Sequence, residues 1–491
     1  MRNRSKQTVA NSIRASWHTS AWTFGISTLR ASGTTASSIL TKLLSLIVAV
    51  MLAFPTTVTP ASAQGIPLIR DSEIENLLKD YAAPIFQAAG FGSGRVSMRV
   101  VRSSGFNAFV VDGRNVFINT GALTQANTPN EIIGVIAHEA GHISGGHLAA
   151  LRARIRRDQT RALLAQILGI GLLIAGGSTG NDNVAGAGQG VLYGGSSAIT
   201  KALLSERRSQ ESAADQAGLT FLNRTKQSGL GMLLTFERFA QQEYISDTYK
   251  DAFARSHPVA ARRLAQLRQK VEASPYFNKK DKPELQLRHD LMRAKLSGYL
   301  ETPAAVFNRY PHSNKSLPAR YARAIATYFR GGRDGLNSAV SQLEGLIKEK
   351  PSYAYFWELK GDLLMRSGRK REAIAPLRKA LSLAGDAPLI RVQLAQALQG
   401  SPSKKDIERS IKLLKMSLVS DKNPQAYRLL ANAYYKQGKQ PKANAMIAQA
   451  HFLSGKLKDA KLFAKRAHKK LKPGSPEWIK NDDILKFEPS R

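Results

Sequence analysis

The sequence predicts a mostly α chain in two parts, a helical domain with a small antiparallel β-sheet followed by an α-solenoid of paired helices. Three observations predict it. Apolar residues alternate only across residues 96–119, helical spacing dominates from Pro129 onward, and small residues recur at fixed offsets in the last third. With 491 residues, 43% of them hydrophobic, the chain can build two or three cores, which excludes a single small module.

The first 63 residues contain no Asp or Glu and carry Arg2, Arg4, Lys6, Arg14, Arg30 and Lys42. They then run into "LLSLIVAVMLAF" and the small residues Ala61 and Ala63. A basic start, an apolar run and small residues predict a signal peptide over residues 1–63, cut after Ala63. The apolar run is shorter than the roughly 20 residues a membrane span requires, so the expected mature chain is exported, periplasmic and soluble. Cysteine is absent, which excludes disulfides, thiolate ligands and a lipid-modified amino-terminal Cys. Any metal site must use His and carboxylates. Lys and Arg number 72 against 36 acidic residues. In an exported chain this charge predicts peripheral contact with anionic lipid rather than with nucleic acid.

The next stretch, "DSEIENLLKDYAAPIFQAAG", has the spacing of an amphipathic helix, with Asp71 or Ser72 as N-cap and Gly90 and Gly92 beyond its end. "RVSMRVV" alternates, and "NAFVVDGRNVFINTG" places two apolar runs around Asp112-Gly113; together they predict the antiparallel sheet. From Pro129, "NEIIGVIAHEAGHISGGHLAALRARIRR" predicts one long helix. Residues 162–175 are almost wholly apolar, and ten glycines lie between Gly169 and Gly195. A buried core helix and a mobile flap beside a site both fit this segment. A helix from Ala198 then carries "RRSQESAADQAGLTFL".

From about Pro318 the period is that of tetratricopeptide repeats, about 34 residues. Trp357, Gly361, Gly368, Ala373, Leu377 and Ala380 fit one repeat, and Tyr427, Ala431, Tyr434, Gly438, Ala443, Ile447 and Ala450 fit another. Weaker units bring the expectation to about four, because small residues at these places let paired helices approach closely. The expected organisation is a signal peptide (1–63), a metallopeptidase domain (64–275), a helical linker (276–317) and a repeat domain (318–491).

The chemistry concentrates between Ile136 and Leu148, which hold three of the nine histidines. His138 and His142 are four residues apart and project from one helical face, close enough to share a metal ion. Glu139 lies beside them, in the H-E-x-x-H order in which two imidazoles hold Zn²⁺ and the glutamate takes a proton from water. A third protein ligand is needed. His147 tempts, because H-E-x-x-H-x-x-G-x-x-H enzymes use a later histidine, but that position is Leu148. On a continuous helix His147 points about 100° away, so it is expected on the helix flank. Glu211 in "ESAAD" is the better donor, and Asp215 on the same face can accept the N–H of a histidine ligand.

"NAF" at Asn107–Phe109, "HEAGH", "ESAAD" and "SHPVAARRLAQL" resemble the gluzincin metallopeptidases that include the CAAX prenyl protease and HtpX. The signal peptide and repeats are similar to the family's soluble periplasmic branch. This resemblance implies one Zn²⁺ per chain on His138, His142 and Glu211, Glu139 as general base, and Asp215 orienting a ligand. It adds His257 as a catalytic residue near the metal or the oxyanion, and Asn107, Ala108 and Phe109 as an edge strand that pairs with an extended peptide. It also implies an exported zinc endopeptidase of envelope quality control. The substrates would be unfolded or misassembled outer-membrane proteins, the repeats would dock on the barrel assembly machinery, and the enzyme would lie close to the outer membrane. A rival expectation is a repeat-based assembly chaperone or scaffold whose peptidase site is largely latent.

Overall fold

A computed structural model describes residues 67–92, 94–160, 205–242, 252–258 and 261–489. The signal sequence, the apolar and glycine-rich stretch 162–195 with its two alternatives, and the helix start at Ala198 lie outside the described residues.

Strand β1 (Leu68–Ile69) precedes helix α1 (Ser72–Ala88), whose N-cap Asp71 accepts from the Ile74 amide at 3.0 Å. Strands β2 (Ser97–Val101), β3 (Ala108–Val110) and β4 (Asn115–Asn119) complete a sheet of order β1-β2-β4-β3. The expected sheet was antiparallel; the observed one is mixed. The β3–β4 hairpin is antiparallel as predicted, turning where the Asp112 carboxylate accepts from the Arg114 and Asn115 amides. After β2, however, the chain crosses to the far edge to form β3 before returning, so β4 lies against β2 in parallel register, Ser97 to Asn115 through Val101 to Asn119. One-dimensional alternation reports a strand's faces but not its neighbour's direction.

After α2 (Thr120–Gln125), helix α3 (Pro129–Ser144) begins with Pro129 in its first turn and a reciprocal capping box between Thr128 and Glu131. The predicted long helix breaks here. Gly145 and Gly146 form a turn, Gly146 with φ +63°, and a separate helix α4 occupies residues 147–160. Helix α5 spans residues 205–224, and α6 (Leu230–Ala240), α7 (Ala252–Ser256) and α8 (Ala261–Glu272) follow. The core of this half gathers Ile85, Phe106, Ile118, Leu123, Ile136 and Phe236.

Helix α9 (Pro283–Leu300) lies in the expected linker, yet it is a packed joint. Met292 and Leu296 enter the core of the first half, while Leu291 and Ala294 enter that of the repeats. After α10 (Pro303–Arg309), paired helices follow: α11 (Leu317–Phe329) with α12 (Gly332–Glu349), α13 (Ala354–Arg366) with α14 (Lys370–Ala384), and α15 (Pro388–Leu398) with α16 (Lys404–Ser420). Next come α17 (Pro424–Lys436) with α18 (Gln440–Leu453), and α19 (Leu457–His468) with α20 (Pro476–Lys486). Gly368 and Gly438 turn the two best-matched repeats at φ +77° and +75°. A Cβ on Gly361 would stand 2.5 Å from Leu377 Cγ, so the glycine sets how closely α13 and α14 approach. The second part is therefore the tetratricopeptide-type solenoid expected. No described helix is long and apolar enough to cross a membrane.

Candidate metal centre

Helices α3 and α5 meet backbone to backbone. A Cβ on Gly141 would lie 2.5 Å from the Ala214 carbonyl oxygen, and one on Gly218 would lie 3.1 Å from Ala137. The glycine of "HEAGH" and the small residues of "ESAAD" thus allow the approach that carries Glu211 and Asp215 to the histidine face. Gly134 does the same for α6, where Met232 would be 2.7 Å from an added Cβ.

His138, His142, Glu211 and His257 converge with donor atoms within 4.8 Å of one another. His138 Nε2 lies 3.1 Å from His142 Nε2 and 3.2 Å from His257 Nδ1. The Glu211 carboxylate is 3.4 Å from His138 Nε2, 3.6 Å from His142 Nε2 and 3.1 Å from His257 Nδ1. Ligand atoms held about 2.0–2.1 Å from a tetrahedral zinc stand about 3.3–3.4 Å apart, so these spacings fit such an ion. The chemistry of the donors agrees. His138 Nδ1 hydrogen bonds to Asp215 Oδ1 at 2.9 Å, which in the Nδ1–H tautomer turns the Nε2 lone pair inward. Facing lone pairs need a proton or a cation between them.

Electrostatics favour positive charge here. Burial disfavours the His138 cation, but hydrogen bonds to Asp215 and Glu211 outweigh it and raise its pKa to about 9. Burial lowers His142 to about 4. Burial alone would raise Glu211; the neighbouring His257 and bonds from the three histidines hold it well below the usual carboxylate range. Glu139 is 1% exposed, and burial raises its pKa. Its Oε1 lies 3.4 Å from His257 Nε2 and makes no hydrogen bond among the described residues. Phe236 meets the His138 ring edge-on at 5.2 Å and Phe253 lies 4.7 Å from the His257 ring, giving the cluster apolar walls.

The remaining predicted residues fall near these groups. Ala108 and Phe109 lie in β3 at the sheet edge, with Asn107 just before it. The Phe253 amide donates to the Phe106 carbonyl at 3.2 Å, tying the helix that precedes His257 to that edge. His147 departs from expectation. Because the helix breaks at Gly145–Gly146, its Nδ1 approaches His142 Nδ1 to 3.0 Å instead of pointing away around a continuous cylinder. It still lies outside the four-residue cluster.

Sequence reasoning missed Arg263. Its guanidinium makes two hydrogen bonds to the Asp215 carboxylate, lies 3.0 Å from Glu211 and donates to the Pro258 carbonyl at 2.9 Å. A signal was present: Arg263 falls on the buried stripe of α8 with Leu267 and Val271, whereas the adjacent Arg262 is exposed. An arginine on an apolar stripe announces a buried carboxylate partner.

A histidine pair one turn apart, a glutamate beside it and a carboxylate from a second helix define a helical metallopeptidase domain. Residues 69–271 match the model of Peptidase family M48. The chain is 25% identical over 345 residues to the Beta-barrel assembly-enhancing protease of Yersinia pestis, covering 69% of this chain and 68% of that protein. It is 23% identical to the protein of the same name from Escherichia coli K12, covering 68% and 67%. It is also similar to Metalloprotease LoiP of Escherichia coli K12, at 25% identity over 36% of this chain and 64% of that one. The chain is a metalloprotease with an appended helical-repeat half.

Proposed function

We propose that the chain is an exported zinc endopeptidase that cleaves unfolded or misassembled polypeptides, with His138, His142 and Glu211 as the protein ligands. The observation that carries this reading is the convergence of these donors beside a buried Glu139 oxygen that has no hydrogen-bond partner among the described residues. Zinc held there supplies Lewis acidity, lowering the pKa of water and polarising a carbonyl. Glu139 takes the proton of the attacking water, a role suited to a carboxylate whose burial makes it more basic, and delivers it to the leaving amide nitrogen. Asp215, itself held by Arg263, keeps His138 in one tautomer. The edge strand at Asn107, Ala108 and Phe109 aligns an extended substrate by strand pairing.

The acid-free basic start, its apolar run and the names of the relatives support work in the periplasm, near the outer membrane. There the repeats engage barrel proteins or their assembly machinery. His257 favours a second reading, a repeat-based assembly factor whose peptidase rests latent, because its Nδ1 fills the remaining corner of the cluster. The deciding experiment joins metal analysis to casein digestion. Wild type should carry one zinc per chain and cut casein. Glu139→Gln should keep the zinc and lose cleavage, and His138→Ala, His142→Ala or Glu211→Ala should lose the zinc. Cleavage that survives Glu139→Gln would refute the assignment.

A further inference from the structure

The geometry points to a role for His147: we propose that it positions His142 for metal binding by accepting the His142 Nδ1–H. This inference rests on the zinc reading above and concerns the half of the site that Asp215 does not serve. An imidazole that binds metal through Nε2 must carry its proton on Nδ1, and that N–H needs an acceptor to fix both the tautomer and the ring plane. His138 has Asp215. For His142 the acceptor is His147 Nδ1 at 3.0 Å, with the two rings edge-on at 83° and centroids 5.0 Å apart. His142 Nε2 remains turned to the cluster, 3.1 Å from His138 Nε2.

The local backbone is shaped for this contact. Gly146 adopts φ +63°, a conformation that costs glycine little, and it starts α4 in a new direction. Gly145 has an ordinary helical φ of −76°, so its lack of a side chain has another cause. A Cβ there would lie 2.3 Å from His147 Nε2 and 2.8 Å from its Cδ2, inside the space that the ring fills. The glycine pair therefore does two things, breaking the helix and leaving room for the imidazole to fold back over His142. His147 is half-buried, less enclosed than His138, Glu211 and His257, and it stands behind His142 rather than within the cluster.

The test measures zinc affinity of the full chain by competition with a chromophoric chelator, a readout separate from proteolysis. His147→Ala should bind zinc at the same stoichiometry but 10-fold to 100-fold more weakly, the usual cost of removing a partner of a ligand, roughly as expected at other such sites. His147→Asn should recover most of that loss, because Asn Oδ1 accepts where imidazole Nδ1 did. Gly145→Ala leaves His147 in the sequence but displaces its ring, and should reproduce the weakening. Melting of the metal-free variants should match wild type, which separates positioning from folding. Unchanged affinity in His147→Ala would overturn the proposal, and so would loss of zinc stoichiometry in both His147 variants, which would make it a ligand. If wild type itself binds no zinc, the reading of the whole site fails as well.

Discussion

Replacing Lys295 with Met should loosen the joint between the peptidase half and the repeats. Lys295 is 4% exposed, and its Nζ lies 2.7 Å from Asp71, 3.2 Å from Glu73 and 3.6 Å from Glu358. Asp71 and Glu73 open helix α1, while Glu358 belongs to repeat helix α13. The Tyr321 and Tyr353 hydroxyls, also from the repeats, donate to the Glu73 carboxylate. Removing one partner of a buried ion pair costs about 3–5 kcal/mol. The lower end applies. Burial raises the pKa of both Glu73 and Glu358, the latter to about 8, so these carboxyls carry less charge at neutral pH and lose less when the lysine is removed. A loss of about 3 kcal/mol is roughly a 150-fold change in the unfolding constant. Urea titration followed by circular dichroism and by tryptophan fluorescence, which includes Trp357 of α13, should show both midpoints falling together. Adding Glu73→Gln and Glu358→Gln to Lys295→Met should recover part of that loss, because only Asp71, whose side chain is 19% exposed and reached by water, then keeps an unpaired charge. A single-variant shift below about 0.5 kcal/mol, the range of ordinary surface substitutions, would refute the claim that this cluster is dry and joins the halves.

Two further outcomes follow from particular groups. Since the Glu358 pKa is raised in the folded chain, the folded state binds more protons than the unfolded one between about pH 4.5 and 8, so stability should fall as pH rises through that window, by at most about 1.4 kcal/mol per unit, and Glu358→Gln should flatten the slope in a urea series. His257→Ala should keep zinc and raise basal casein cleavage, because the side chain that fills the fourth corner is removed; a drop of about 100-fold or more with zinc retained would make His257 an oxyanion donor instead.

What was legible in the sequence was local. The H-E-x-x-H spacing, the E-x-x-x-D spacing and the capping signal at Asp71 each involve residues within about one helical turn, where periodicity fixes relative direction. The same logic failed at His147, where helical spacing carried across Gly145–Gly146 rotated the ring the wrong way. Two adjacent glycines were the available warning. The sheet's mixed character depends on where the chain goes between Val101 and Ala108, and alternation is silent about that. Arg263 shows a subtler gap: its position on the α8 stripe could be read, but its partner Asp215 lies 48 positions earlier, and only folding brings them together.

The stretch described from sequence as a linker does the most to connect the two halves. Three side chains of α9 grip carbonyls just ahead of helix α3: Arg293 on Thr124 at 3.2 Å, His289 on Ala126 at 3.0 Å and Gln286 on Asn127 at 3.0 Å. Asp281 accepts from the Asn130 amide at 2.9 Å, inside the first turn of α3. The capping box that starts the helix bearing His138, Glu139 and His142 is therefore held from outside by residues 281–293. The same helix α9 presents Lys295 to the repeats. An apolar linker would need only length; this one carries directed hydrogen bonds on one side and a buried charge on the other. Ending the chain near Pro311 would keep the grip on α3 but remove Tyr321, Tyr353 and Glu358, leaving Glu73 and Lys295 to face water along with the apolar side of α9. The repeats thus complete the surface on which the helix of His138 and His142 is mounted.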